Sequence, residues 1–381
     1  MITKKLKNIF LLLICVTMAF AQVDLEELLQ SEHNAQSRLW NDLMDHEDHW
    51  FAGQKGQMVA ENILAYQRES GGWPKNIDFT KPVTRDVRLK LDEYSDEYHS
   101  TIDNGATYTQ LNFLAKIINV TGQDRYILSF LKGLDYLLDA QYENGGWPQF
   151  YPLVKGYYTH VTYNDDAMTG VLYLLYDIVH HPQYYNFVDS ARRERSAQAV
   201  ASGIQCILKT QIREDGKLTA WCAQYDEKTL EPSSARAYEL VSLSGKESVG
   251  ILRFLMSLEE PSPEIIDAVQ HGIAWLDLVR INGIRVKRVP DSGSATGFNR
   301  VVVQDPDAPS LWARFYLIGS NKPFFSDRDG KIYDRLDQIS SERRNAYGWL
   351  GDWPATLLNS DYPTWLKRWS IDVNVLEKPV H

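Results

Sequence analysis

The sequence predicts an all-α fold: an (α/α) toroid, in effect an incomplete α/α barrel, with long functional loops on one face. Three observations predict it. A Gln-to-Trp motif recurs along the chain, a second motif that opens helices recurs beside it, and strand signals are sparse. Composition agrees. The chain has 381 residues, 44% hydrophobic, 24% charged and 12% aromatic. That leaves room for one large core and excludes a disordered or linker-dominated polymer.

The first 21 residues stand apart from the fold. Lys4, Lys5 and Lys7 precede an apolar run, residues 9–20, broken only by Thr17, and Ala19-Phe20-Ala21 matches a small-x-small cleavage site. The run is shorter than the roughly 20 residues of a membrane span. It reads as a secretory signal peptide removed before Gln22. Residues 22–381 are then expected as a single domain of a secreted protein, extracellular or periplasmic. No later stretch is long and apolar enough to cross a bilayer, so no membrane partner is expected. Residues 22–59 carry no motif.

Charge narrows the partners. The formal charge is −10, and losing the leader's three lysines makes it three units more negative. Such a surface repels nucleic acid and anionic membranes. A polyanionic substrate would need a local cationic site or a bridging metal. Cys206 and Cys222 remain after Cys15 leaves, too few for a disulfide framework; they pair or sit buried as small apolar groups. Nothing calls for a second copy, so a monomer is expected.

The repeats define the elements. Gln67-Arg-Glu-Ser-Gly-Gly-Trp-Pro74 recurs as Gln141-Tyr-Glu-Asn-Gly-Gly-Trp-Pro148, and in degenerate form from Gln211 to Trp221. Each copy reads as a helix end, a Gly-containing turn that stops it, and a Trp that packs back. Leu131, Leu134, Leu137 and Leu138 give the preceding helix its stripe. The second motif is Thr101-Ile-Asp-Asn-Gly-Ala-Thr107, matched by Thr162-Tyr-Asn-Asp-Asp-Ala-Met168 and by Ser244-Gly-Lys-Glu-Ser248. Polar residues open a helix whose later turns are apolar: Leu111, Leu114 and Ile118, then Leu172, Leu175 and Ile178. One such unit cannot bury its own apolar face, so the units stack. Three segments, residues 75–100, 226–246 and 289–310, read as long loops, and long loops carry function. Val301-Val302-Val303 is the clearest strand signal.

Candidate chemistry gathers at the helix starts. Asp103-Asn104 and Asn164-Asp165-Asp166 occupy matching places, and in a toroid matching helix starts open on one face. Carboxylates and amide oxygens converging there suit Ca²⁺. The same residues also suit helix caps, or the two carboxylates of an inverting glycoside hydrolase. Arg236, Arg300 and Arg314 lie in the loops, where guanidinium groups either pair on the surface or bind carboxylates. Trp73 and Trp147 suit packing better than sugar stacking. No phosphate loop, zinc spacing or nucleophile elbow is present. Asn119-Val-Thr121 is a lone glycosylation sequon.

Taken together these motifs resemble the family 10 pectate lyases, polysaccharide lyases of the pectic acid lyase type. The matching elements are Gly71-Gly-Trp-Pro-Lys-Asn76, Thr101-Ile-Asp-Asn-Gly-Ala-Thr107, Gly145-Gly-Trp-Pro-Gln-Phe150, Tyr163-Asn-Asp-Asp166, Glu231-Pro-Ser-Ser-Ala-Arg-Ala-Tyr-Glu239, Phe298-Asn-Arg300, Pro309-Ser-Leu-Trp-Ala-Arg-Phe-Tyr316 and Asn321-Lys-Pro-Phe-Phe325. The resemblance implies a toroid that cleaves polygalacturonate (pectate) by anti β-elimination with Ca²⁺. It implies Asp103 and Asp165 as metal-ligating carboxylates with Asn104 as helper, and Arg236 as the base. Arg300 and Arg314 then bind substrate carboxylates, and Tyr347 lies in the cleft. A base with an ordinary pKa above about 12 implies an alkaline optimum. The competing functions are an inverting hydrolase using Asp103 and Asp165, a non-catalytic pectin-binding protein, and a terpene cyclase. The arginines, which a neutral glycan does not need, and the leader sequence weigh against the hydrolase and the cyclase.

Overall fold

The computed structural model describes residues 40–85, 89 and 99–377. The leader sequence read at residues 1–21 lies outside them. The chain divides into two compact units, residues 1–45 and 46–381. Of the first, the described part is a helical turn at residues 40–44 with Trp40 and Leu43 buried.

The second unit is a succession of helical hairpins. It begins with α1 (Asp48–Ala52) and α2 (Gln54–Tyr66). Three pairs follow: α3 (Tyr108–Thr121) with α4 (Asp124–Ala140), α5 (Ala167–His180) with α6 (Ser190–Thr210), and α7 (Glu247–Ser257) with α8 (Pro263–Leu278). The first helix of each pair packs on the first of the next, α3 on α5 on α7. The second helices pack likewise, α4 on α6 on α8. Two helical layers built from repeating hairpins are the expected α toroid. The apolar stripes cause it: Leu111, Leu114, Ile118, Leu172, Leu175 and Ile178 are all buried.

The repeated residues make repeated bonds. Gln67 Nε2 donates to the carbonyls of Gly71 and Ser129, Gln141 to Gly145 and Ala199, and Gln211 to Thr219 and Ala268. Each Gln therefore closes its own turn and ties it to the next second-layer helix. Each Trp reaches back to the helix before it. Trp73 Nε1 donates to Ile63 O at 2.7 Å, Trp147 to Leu137 O at 2.8 Å and Trp221 to Ile207 O at 2.8 Å. The Trp carbonyls accept from the residue that opens the second motif: Thr101, Thr162 and Ser244. This last bond sets all three helix starts on one face. The three indoles are fully buried, so they are packing residues. A fourth copy, unseen in the sequence because it lacks the Gly-Gly-Trp-Pro signature, is Trp312, whose Nε1 donates to Leu276 O. Gly71 (φ 102°) and Gly145 (φ 90°) are required at their turns. A Cβ there would stand 2.3 Å from Lys132 O and 2.1 Å from Ser202 O.

One expected loop is half strand. Within residues 289–310, β2 (Phe298–Gln304) pairs antiparallel with β1 (Ile284–Pro290) over seven residues. Val301-Val302-Val303 signalled one strand. The partner's Ile284-Arg-Val-Lys287 is the period-two pattern of a half-exposed strand, broken at Arg288. The segment 226–246 is irregular as expected up to Leu243–Ser244, which forms a short strand. Short two-residue ladders hold the loop face: Val161–Thr162 with Gln224–Tyr225, Leu243–Ser244 with Phe315–Tyr316, and Trp312–Ala313 with Leu350–Gly351. An aromatic cluster that includes Tyr238, Phe315, Tyr347 and Trp349 forms a second core there. Beyond it lie α9 (Ser341–Ala346) and α10 (Tyr362–Trp369). Cys206 and Cys222 are buried free thiols, not a disulfide. The sequon asparagine, Asn119, lies on α3 with its amide donating to Ala115 O and Tyr184 O.

Candidate active site

The site is built on the helix starts. Asp103-Asn104-Gly105 and Asn164-Asp165-Asp166 each form a single 3₁₀ turn just before α3 and α5, and the two turns lie against each other. Asn104 (φ 52°), Asp165 (φ 50°) and Asp166 (φ 60°) are left-handed, a conformation Asn and Asp tolerate better than other residues. No side-chain cap bond is made at the start of α3 or α5. Capping therefore does not explain the acids at these positions.

A cation stands on each carboxylate. Lys75 Nζ bonds Asp103, and Lys246 Nζ lies 2.5 Å from Asp165 Oδ1. Lys246 and Glu247 come from the third copy of the helix-opening motif, so all three copies meet here. Asn104 Nδ2 donates to Asn76 Oδ1 at 3.1 Å. Arg314 joins the group from the loop beyond β2. Its Nη2 donates to Glu247 Oε1 at 2.5 Å and Asn164 Oδ1 at 2.9 Å, and lies 3.4 Å from Asp165 Oδ1. Arg314 is 3% exposed. Burial disfavours its charge, but Glu247 outweighs that and holds it above the ordinary arginine value. In this structure Arg314 binds the protein's own carboxylates.

Arg236 belongs to the same network through an aromatic hinge. Its Nε and Nη2 form a fork on Glu239 at 2.8 and 2.6 Å. Burial opposes the charge on Arg236, yet Glu239 raises its pKa well above the ordinary value. Reciprocally, burial pushes the Glu239 carboxyl up, and Arg236 overcomes this to bring it down to about 2. Tyr347 connects the two arginines. Its hydroxyl donates to Glu239 Oε1 at 2.7 Å, and its ring lies under the guanidinium groups of Arg236 and Arg314, at 5.8 and 4.7 Å. The Tyr347 ring is buried, so it supports the arginines from behind. Arg300 reaches the same residue: its Nη1 donates to Tyr347 O at 2.6 Å, and its backbone N–H to Asn345 Oδ1.

All seven residues singled out in the sequence thus fall in two joined clusters. Asp103, Asn104, Asp165 and Arg314 form one; Arg236, Tyr347 and Arg300 form the other. The sequence assigned no role to Lys75, Lys246, Glu239 or Glu247, while Asn164, grouped there with Asp165 and Asp166, stands in the first cluster through Arg314. Lys246 and Glu247 were visible as the third copy of the helix-opening motif, which keeps its place but changes its charge. Beside Asp165 a cavity of 380 Å³ opens, lined by Tyr108, Lys246, Glu247, Arg253 and Trp353. An aromatic row borders the Asp103 side: Tyr157 packs on Tyr158, Tyr158 on Phe150, and Lys75 lies over the Phe150 ring at 5.6 Å.

The donors here fit calcium in kind. Asp103, Asp165, Asn104 and Asn164 offer hard oxygens. The ammonium groups of Lys75 and Lys246 mark where positive charge is favoured. They do not form a closed cage: among the described residues no group of three or more acids, histidines or cysteines is set to hold a metal.

A helical toroid whose loop face gathers carboxylates and arginines in two joined clusters suits an enzyme for an acidic polysaccharide. A family model, described as pectic acid lyase, matches residues 67–358. Two solved structures resemble the chain along nearly its whole length. One is a family 10 polysaccharide lyase from Cellvibrio cellulosa, 33% identical, with a TM-score of 0.71, covering 89% of this chain and 97% of that one. The other is an aspartate-to-alanine mutant of a family 10 polysaccharide lyase from the same organism, in complex with trigalacturonic acid. It is 33% identical with a TM-score of 0.70, covering 88% of this chain and 98% of that one. None of the curated proteins matches this chain. The chain belongs to the pectic acid lyase family, and is a lyase acting on pectate.

Proposed function

We propose that this chain is an exported pectate lyase that cleaves polygalacturonate by anti β-elimination, with Arg236 as the base. The observation that carries this reading is the junction at Tyr347, which holds the charged forks of Arg236 and Arg314 beside the paired carboxylates Asp103 and Asp165. That the related lyase was solved with trigalacturonic acid supports the substrate. The leader sequence supports export.

The chemistry needed is specific. The C5 hydrogen of a galacturonate is weakly acidic because the neighbouring carboxylate already carries negative charge. Fixed cations facing that carboxylate stabilise the enolate-like state formed when the hydrogen leaves. Arg300, half-buried and without a carboxylate partner among the described residues, binds one uronate. Arg314, beneath the surface, adds positive charge and fixes Asn164, Asp165 and Glu247. Asp103 and Asp165, with Asn104, are the residues that would hold Ca²⁺. When bound, the ion would neutralise the uronate carboxylate. Arg236, in its neutral form, takes the C5 proton, the electron pair forms the C4–C5 double bond, and the C4–O bond breaks. The departing oxygen takes a proton from water, and Arg236 returns its own to solvent.

The test is incubation with polygalacturonate while following ultraviolet absorbance of the conjugated product. A hydrolase using Asp103 and Asp165 would release reducing ends without that absorbance. A binding protein would leave the polymer intact.

A further inference from the structure

The β1–β2 hairpin carries an unusual pair. In its antiparallel register Arg288 stands directly opposite Arg300. Side chains so placed have Cβ atoms about 4.5–5.5 Å apart, and like charges there destabilise a sheet. Strand alternation separates the hairpin's cations by face. Arg285 lies on the other face and has a carboxylate, with its Nε 2.6 Å from Asp305 Oδ2. Arg288 and Arg300 have no carboxylate partner among the described residues, in a chain with 50 acids and 40 bases. Each is instead held by an uncharged group: Arg300 by the Tyr347 carbonyl, Arg288 by the Phe298 ring, 4.7 Å from its guanidinium. Burial, and then Arg288 opposite it in the register, lower the pKa of Arg300. Arg300's bond to Tyr347 orients this face of the hairpin toward the arginine junction.

We propose that Arg288 is a further substrate-binding residue, forming with Arg300 a two-carboxylate clamp that takes successive acidic sugars of an unesterified chain. The inference rests on the pectate lyase reading and extends its site outward along the hairpin. A polyanion with one carboxylate per sugar supplies the counter-charges that the protein withholds here. Neutralising one of those sugars by methyl esterification removes the recognition.

The experiment compares wild type, Arg288→Gln, Arg288→Lys and the charge-matched control Arg285→Gln. Two measurements are made: initial rates on polygalacturonate, and retardation in native gels containing polygalacturonate. For Arg288→Gln the KM rises about tenfold, kcat stays within twofold, and gel retardation weakens. Arg288→Lys keeps most of the binding, and Arg285→Gln behaves as wild type. Thermal stability of Arg288→Gln is equal to or above wild type, because a repulsion has been removed. Unchanged KM and retardation in Arg288→Gln would overturn the clamp, as would equal losses in Arg285→Gln. Absence of the unsaturated product with wild type, while Arg288→Gln still weakens retardation, would instead overturn the lyase reading and leave the clamp standing.

Discussion

Arg236 faces two opposing requirements. A base must give up its proton, yet Glu239 holds the guanidinium firmly charged. Neutral Arg236 becomes accessible at high pH, helped by nearby cations that oppose its charge. An alkaline optimum is the expected outcome, checked by the pH–rate profile. Arg236→Ala is expected to lower kcat by at least about 10²-fold, the usual contribution of a general base, with little change in KM. A loss confined to KM would make Arg236 a clamp. Glu239→Gln removes the charge that keeps Arg236 protonated, so the rising limb of the pH–rate profile moves to lower pH. A profile that stays in place would show that another group titrates. At this scale the acids were legible as neighbours because the helix-opening motif around them recurs, and the arginines through the motifs that resemble the family. The sequence was a poor guide to Glu239, and it placed Tyr347 in the cleft without revealing its bond to Glu239. Their importance comes from a hydrogen bond between residues far apart in the chain, which no local pattern records.

The elements explain how scattered residues reach one face. Each Gln and each Trp makes the same bonds in successive turns, and each Trp carbonyl fixes the start of the next first-layer helix. The glycines keep those turns tight. Gly145→Ala forces a Cβ onto the Ser202 carbonyl at a positive φ, and is expected to cost more than about 2 kcal/mol. Gly156→Ala shares the positive φ (103°) but meets nothing within 4 Å, so it costs only the conformational part, about 1–3 kcal/mol. Chemical denaturation of the two variants measures the difference. Trp147→Phe removes the bond to Leu137 O and is expected to cost about 1–3 kcal/mol. The helical hairpins were legible because their stripes and stops repeat. The β1–β2 hairpin was only half legible, since β1 mixes Arg and Lys with Val and reads as a polar loop unless its alternation is noticed.

Over the whole molecule, charge is organised rather than spread. An acidic chain concentrates cations where its carboxylates converge, so that a polyanion meets positive charge in one place. The same arrangement gives a pH signature in stability. Glu239 has its folded pKa lowered from 4.5 to about 2. Its contribution is therefore fully present above about pH 4.5 and lost as pH falls through 2. The stability gap between wild type and Glu239→Gln, measured by chemical denaturation, narrows from pH 7 to pH 3. If the gap is constant, Glu239 is not held by its charge. The overall toroid was readable from the sequence because repeats define it. The lysines seated on Asp103 and Asp165 were not, because Lys75 lies outside the helix-opening motif and Lys246 replaces an acid within it.

Arg236 and the paired aspartates are proposed to carry the elimination across the C4–C5 bond of polygalacturonate. Ultraviolet absorbance of the unsaturated product, followed at alkaline pH with added Ca²⁺, with chelator and with Arg236→Ala, tests it most directly. Absorbance should rise with wild type and Ca²⁺, stop on chelation, recover when Ca²⁺ is restored, and be nearly absent with Arg236→Ala. Polymer shortened without absorbance, or an Arg236→Ala variant as fast as wild type, would contradict it.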